Sequence, residues 1–231
     1  MAPEAVHPCS TKLRNDGYAL LTEAELGFSP DDRERLHRTF FHSGVLKRYE
    51  NDLPADRERA RDVVRFEWTR SGLRLSEHDT ITIVNRGERP EPREYGRVEV
   101  LQDPVFERWI RRALTLLPTE WRDPRGTFGV NLFRTFTNVV TKPHQDGERF
   151  IFIYVVDKIG EGAESWLYGL DEHDDVPVFR GTLNPGDMFV FEDARFRHNV
   201  TPLVDPPGGR ARRDALVCTV NYSDTYSLDW D

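Results

Sequence analysis

From residue 126 onward the chain is a succession of short β-rich runs with no helical pattern between them, and this constrains the fold more than any other feature. The runs are GVNLFRTFTNVVT, RFIFIYVVD, ESWLYGL, VPVFRGTL, DMFVFED, FRHNVTPL and DALVCTVNY. Their β-branched and aromatic residues suit a pleated, half-buried surface. Turn chemistry separates them at Gly160-Glu161-Gly162, Asp171 to Asp175, Asn184-Pro185-Gly186 and Pro206 to Gly209. Without crossover helices such strands do not build parallel βαβ units. The expectation is an antiparallel sandwich or jelly roll.

The first half has a different texture. SPDDRERLHRTFF opens with a Ser N-cap, proline at the first helical position and acids in the first turn. DPVFERWIRRALTLLPTEW repeats those signals, and Val105, Phe106, Trp109, Ile110, Ala113, Leu114 and Leu117 recur at helical spacing. Between them DTITIVN (79–85) reads as a strand and RGERPEPRE (86–94) as an exposed loop. The fold class expected is therefore mainly β with flanking helices. One domain spans 1–231, with a helix-containing α/β elaboration over 1–125 and a jelly-roll catalytic core over 126–231.

Several function classes fall away. The net charge is −8 and the pI about 5.5, which disfavours a phosphate-backbone binder, so no nucleic-acid partner is expected. GGRARRD (208–214) is a local basic cluster in this acidic background. No apolar run approaches the ~18 residues of a membrane span, and the N-terminus lacks the basic-then-apolar pattern of a secretory signal. No membrane partner and a cytoplasmic location are expected. Cys9 and Cys218 form neither a CxxC pair nor a disulfide framework.

His144 and Asp146, in TKPHQDGERF, are two positions apart at the edge of a strand, so both side chains point to one face. Alone, H-x-D is a weak signal. A third ligand sharpens it: His198 follows the NPGDMFVF turn and strand, and a jelly roll can return a late strand beside an early one. Two histidines and a carboxylate on one face of a metal form the facial triad of non-haem iron(II) oxygenases, which leaves coordination positions open. His173 reads as a solvated loop residue, and His7, His37, His42 and His78 lie outside the β region.

After His198 the chain runs through TPLVDPPGGRAR to Arg213, which opens the last long strand. A buried arginine holds a carboxylate through a planar two-pronged fork. Arg210 and Arg212 compete for that role. Arg212 points away from the face of Arg213, and strand start and spacing favour Arg213.

HQDGE (144–148), GAESWLYG (162–169), GDMFVFEDARFRHNVTPL (186–203) and RDALVCTVNY (213–222) occur in the order found in Fe(II)/2-oxoglutarate-dependent dioxygenases. Over residues 126 to 225 the chain resembles that family, and within it the bacterial L-isoleucine 4-hydroxylase-like group of free amino-acid hydroxylases. The resemblance implies a double-stranded β-helix (jelly-roll, cupin-like) core. It implies iron(II), 2-oxoglutarate and O2 as cofactors, with His144, Asp146 and His198 as metal ligands. Arg213 would anchor the 2-oxoglutarate carboxylate, and Arg134 would stand near the cosubstrate or substrate. The reaction implied is hydroxylation of an unactivated carbon of a free amino acid or amino-acid-derived intermediate, with release of succinate and CO2. Two positions depart from the pattern: Gly162-Ala163 replaces a common glycine pair, and Ala215 stands where many of the wider superfamily place a hydroxyl.

The substrate side is less defined. Glu148 either faces a substrate ammonium or is a solvated strand-edge acid. Trp166 either lines the pocket or packs in the sandwich. Segments 59–70 and 93–100 are expected to supply Arg65 or Tyr95 to a lid. A small amino-acid-like molecule is the expected partner, and the N-terminal helices can support a homodimer. The same cofactor chemistry can give desaturation or cyclisation, and a cupin-like metal enzyme without 2-oxoglutarate is a further alternative.

Overall fold

The computed structural model describes residues 7–49, 57–78, 82–83, 93–94, 97–136, 142–171 and 176–222. The first half contains helix α1 (Pro8–Asp16), strand β1 (Tyr18–Leu21), helices α2 (Glu23–Leu26) and α3 (Pro30–Phe40), strands β2 (Glu58–Thr69), β3 (Gly72–Glu77), β4 (Thr82–Ile83) and β5 (Arg93–Glu94), and helix α4 (Pro104–Leu116). Strand β6 (Arg125–Thr135) begins the β-rich half. It is followed by β7 (Phe150–Ile159), β8 (Glu161–Gly162), β9 (Glu164–Tyr168), β10 (Phe179–Thr182), β11 (Met188–Glu192), β12 (Arg197–Val200), β13 (Leu203–Val204) and β14 (Arg212–Tyr222).

The helices start where the sequence places their caps. Ser29 accepts from the Asp32 amide while the Asp32 side chain takes the Ser29 amide, a reciprocal capping box. Asp103 caps α4 by accepting from Val105 and Phe106 at 2.8 and 3.1 Å. One face of α4 buries Phe106, Trp109, Ile110 and Ala113. Trp109 meets Phe128 and Tyr154 of the sheet at ring-centroid distances of 6.1 and 5.8 Å.

Seven strands form the main sheet, in the order β1-β11-β7-β14-β6-β2-β3. Three of them, β1, β2 and β3, come from the helix-containing first half. Segment 59–70, expected as part of a lid, is instead strand β2. Ala60, Asp62, Val64 and Phe66 are buried at every second position, and ten residues of β2 pair with β6. The arginines at alternate positions mask that period in the sequence. Tyr95 lies outside the described residues, as does most of the strand expected over 79–85.

The main sheet has two different faces. Leu132, Tyr154, Leu216 and Val220 share a core with α3 and α4. On the other side Ile151, Val155, Phe189 and Phe191 pack with Leu167, Leu183 and Phe196, beneath a three-stranded sheet of order β10-β9-β12. This is a double-stranded β-helix with helices against one face. Alternation along central β14 assigns the inner face to Arg213, Ala215, Val217 and Thr219 and the helix face to Asp214, Leu216, Cys218 and Val220.

Candidate metal centre

The three sequence-nominated ligands meet. His198 lies on β12, opposite Leu167 of β9. His144 is joined to it by a two-residue antiparallel bridge: His144 N donates to His198 O at 3.1 Å, and His198 N donates to His144 O at 2.8 Å. Asp146 follows two residues on. Its Oδ1 is 3.4 Å from His144 Nε2, and its Oδ2 is 3.6 Å from His198 Nε2. Ligands at right angles on bonds of about 2.1 Å would stand about 3.0 Å apart, so a small closure brings all three onto one ion. His198 is the most enclosed, with 14% of its side chain exposed against 43% for His144 and 41% for Asp146. The open side is that of His144 and Asp146.

Electrostatics favour a cation site. Burial alone would raise the Asp146 carboxyl, but the His144 hydrogen bond and the charges of His198, His144 and Arg57 outweigh it and hold the carboxyl below its usual range. The Asp146 hydrogen bond raises His144 above the ordinary imidazole value. His144 Nδ1 lies 2.9 Å from the Lys142 carbonyl. The protonated ring donates to this carbonyl from Nδ1 and to Asp146 from Nε2; loss of the Nε2 proton, with Nδ1–H kept by the carbonyl, frees the Nε2 lone pair for a metal.

Arg213 supplies the second element. Its Nε and Nη2 are shut off from water and have no hydrogen-bond partner among the described residues, and desolvation pushes its pKa down to about 10. Other parts of the side chain keep partial exposure, consistent with access from the inner cavity. A buried guanidinium without an acid is costly unless an anion arrives. The residues present therefore fit both groups: two imidazoles and a carboxylate for iron(II), and an orphaned fork for the distal carboxylate of 2-oxoglutarate.

Arg134 requires a correction. It sits on the helix face of β6, where Nε and Nη2 donate to Asp214 at 2.8 and 2.7 Å and Nη2 also donates to the Phe41 carbonyl. Asp214 follows Arg213 on β14 and so points away from it. Arg134 thus braces the back of the anchor strand, and the place implied for it beside the cosubstrate is not where the fold puts it. His37 Nε2 at 2.9 Å and the Arg212 guanidinium at 3.4 Å complete the surroundings of Asp214. The His37, Asp157 and Asp214 group resembles a metal cluster by residue type. Arg134 and Arg212 already neutralise it.

Trp166 also needs correcting. It is the neighbour of inward-facing Leu167 and points to the outer face of the smaller sheet, where its Nε1 donates to Glu164 at 3.1 Å and Arg180 stacks on its ring. Arg65 is on the inner face of β2, opposite Thr127 of β6. Glu148 is half-buried beside the triad, and its backbone amide is held by Asp193. Sequence reading did not single out Asp193. Its only signal there is an acid five residues before the late histidine.

The two departures from the resemblance have visible settings. Gly162 and Ala163 both have positive φ, 76° and 52°, which explains why glycines suit this pair. Ala215 lies on the inner face next to Val155.

A two-histidine, one-carboxylate centre in a double-stranded β-helix defines a mononuclear non-haem iron protein. The 2OG-Fe dioxygenase family model matches residues 47–219, well over half of the chain. The chain belongs to that family. Iron(II), 2-oxoglutarate and O2 are accordingly its cofactors. Among solved structures it is similar to a bsmA homologue from Methylobium petroleophilum PM1 (20% identity, 92% of this chain and 91% of that one, TM-score 0.72). It is also similar to IDO from Bacillus thuringiensis (14%, 96% and 97%, 0.68). A third relative is the Fe(II)/(alpha)ketoglutarate-dependent dioxygenase TqaL (14%, 92% and 84%, 0.64). At these identities the likeness concerns the fold alone. No curated protein matches the chain in sequence.

Proposed function

We propose that this dioxygenase hydroxylates an unactivated carbon of a free amino acid or a similar small molecule. The observation that carries the reading is the pairing of the triad with the orphaned Arg213 fork. A metal enzyme that uses no keto acid has no need of that buried cation, which places the cupin-like alternative second.

His144, Asp146 and His198 would hold the iron, and Arg213 would receive the distal carboxylate of 2-oxoglutarate. When bound, these groups supply the oxidation of an inert C–H bond coupled to formation of succinate and CO2. The chain's own part is to fix the target carbon and keep water out. Arg59, Arg61 and Arg65 recur at alternate positions on the inner face of β2, a row suited to a substrate carboxylate. Glu148, beside the triad, suits an ammonium group. Among the described residues no helix is long and apolar enough to cross a membrane. Cys9 and Cys218 are free and buried, in keeping with a cytoplasmic setting.

The test begins without oxygen. Iron(II) and then 2-oxoglutarate are added to apo-protein while the visible charge-transfer absorption of a keto-acid chelate is followed. Free amino acids are then screened for succinate release. A hydroxylated product is about 16 mass units heavier than its substrate, whereas desaturation or cyclisation makes it about 2 lighter. Iron binding without the chelate band would remove 2-oxoglutarate from the reading. If no free amino acid stimulated succinate release, the substrate class would be removed.

A further inference from the structure

One buried carboxylate touches both limbs of the metal centre and has no part in the ligand set. Asp193 follows β11 directly and is 1% exposed. Its Oδ2 accepts from the Gly147 amide at 2.7 Å and the Glu148 amide at 3.1 Å, the two residues after Asp146. Its backbone carbonyl accepts from Gln145 Nε2 at 2.7 Å. The other carboxylate oxygen, Oδ1, is buried with no hydrogen-bond partner among the described residues, and so is His198 Nδ1. These two orphaned atoms face one another at 3.4 Å. A closure of about half an ångström makes a charge-assisted hydrogen bond of ordinary length.

We infer that Asp193 is the positioning residue of the metal centre: one oxygen fixes the turn that carries Asp146, and the other fixes the tautomer and ring orientation of His198. This rests on the metal reading of the triad. The His198 proton has two possible acceptors. Asp146 Oδ2 is 3.6 Å from Nε2, on a side chain 41% exposed. Asp193 Oδ1 is nearer to Nδ1 and shut off from water, where the interaction is stronger. The proton belongs on Nδ1, leaving the Nε2 lone pair for a metal. His144 has the same arrangement through the Lys142 carbonyl, so both imidazoles are keyed from behind by an oxygen.

Asp193→Asn separates this role from a structural one. The amide oxygen keeps the Gly147 and Glu148 bonds, so the fold is retained. The amide nitrogen then faces His198 Nδ1, which has to accept, and the ring proton moves to Nε2. The expected result is an unchanged melting temperature for the apo-protein and a cobalt(II) affinity lower by about 10- to 100-fold. Cobalt(II) binding equal to wild type in a folded variant would overturn the inference. Nitrogen-15 NMR of the wild-type apo-protein, at a pH where the ring is neutral, gives a second readout. The His198 proton is expected on Nδ1, and finding it on Nε2 would overturn the inference even if the variant failed to fold. If wild type bound no cobalt(II), the metal reading would fail instead, and the tautomer would still test the Asp193–His198 bond.

Discussion

The two ends of the proposed cosubstrate site are built in opposite ways. At the metal end, His144 and Asp146 precede β7, are almost half exposed, and depend on a backbone bridge and one buried aspartate for their place. At the anchor end, Arg213 sits in a strand paired on both sides. It is backed by the Asp214 network of Arg134, Arg212 and His37. The metal end meets solvent and must exchange ligands. The anchor end has only to hold one carboxylate. Rigidity is therefore placed where no exchange is needed, and adjustable geometry where it is.

This contrast makes graded predictions. His198→Ala removes the most enclosed ligand. Metal affinity should fall by more than the about hundredfold seen when outer partners are lost, and equilibrium titration with cobalt(II) checks it. Asp214→Ala attacks the opposite end. It leaves Arg134 partly buried without its acid, with an expected cost of about 3–5 kcal/mol in urea unfolding. If that variant is as stable as wild type, the rigid-anchor half of the comparison is wrong. Arg213→Lys keeps the charge but loses the fork. The KM for 2-oxoglutarate should rise about tenfold with cobalt(II) affinity unchanged.

A pH dependence is expected at the metal end. In the apo-protein His144 is raised above 6.5 by Asp146. That pair contributes stability fully below the unfolded value of about 6.5, and the contribution is lost as pH rises through the raised folded value. Metal binding needs the unprotonated ring, so affinity should rise over the same interval. Melting curves and metal titrations across it should move in opposite directions. The smallest effect belongs to Trp166→Ala on the outer face. Metal affinity and 2-oxoglutarate KM should stay within about twofold of wild type, as for surface changes generally.

Sequence made the metal end more legible than its support. H-x-D and a late histidine are residue types with few other reasons to coincide, and a strand alternation is enough to place Arg213. Face assignment was where single-residue reasoning failed. Arg134 and Trp166 have the chemistry expected near a cosubstrate or substrate, yet each occupies the wrong parity of its strand. Strand β2 was hidden because arginines occupy its inner face, so its period resembled a charged loop. Asp193 was invisible for another reason: its partners are backbone amides and a histidine nitrogen, and which amides a carboxylate will meet is settled only by tertiary folding.

The bridge between His144 and His198 also bears on how this chain can change length. Side chains along a strand alternate in direction, so one added residue between Asp193 and His198 would turn the histidine outward and dismantle the centre at a stroke. The segment Pro206 to Gly209, between β13 and β14, carries no such parity, and Gly208 there has nothing within 4 Å of a would-be Cβ. Insertions should accumulate in that second stretch and be purged from the first, leaving the spacing from Asp193 to His198 as a ruler for this centre.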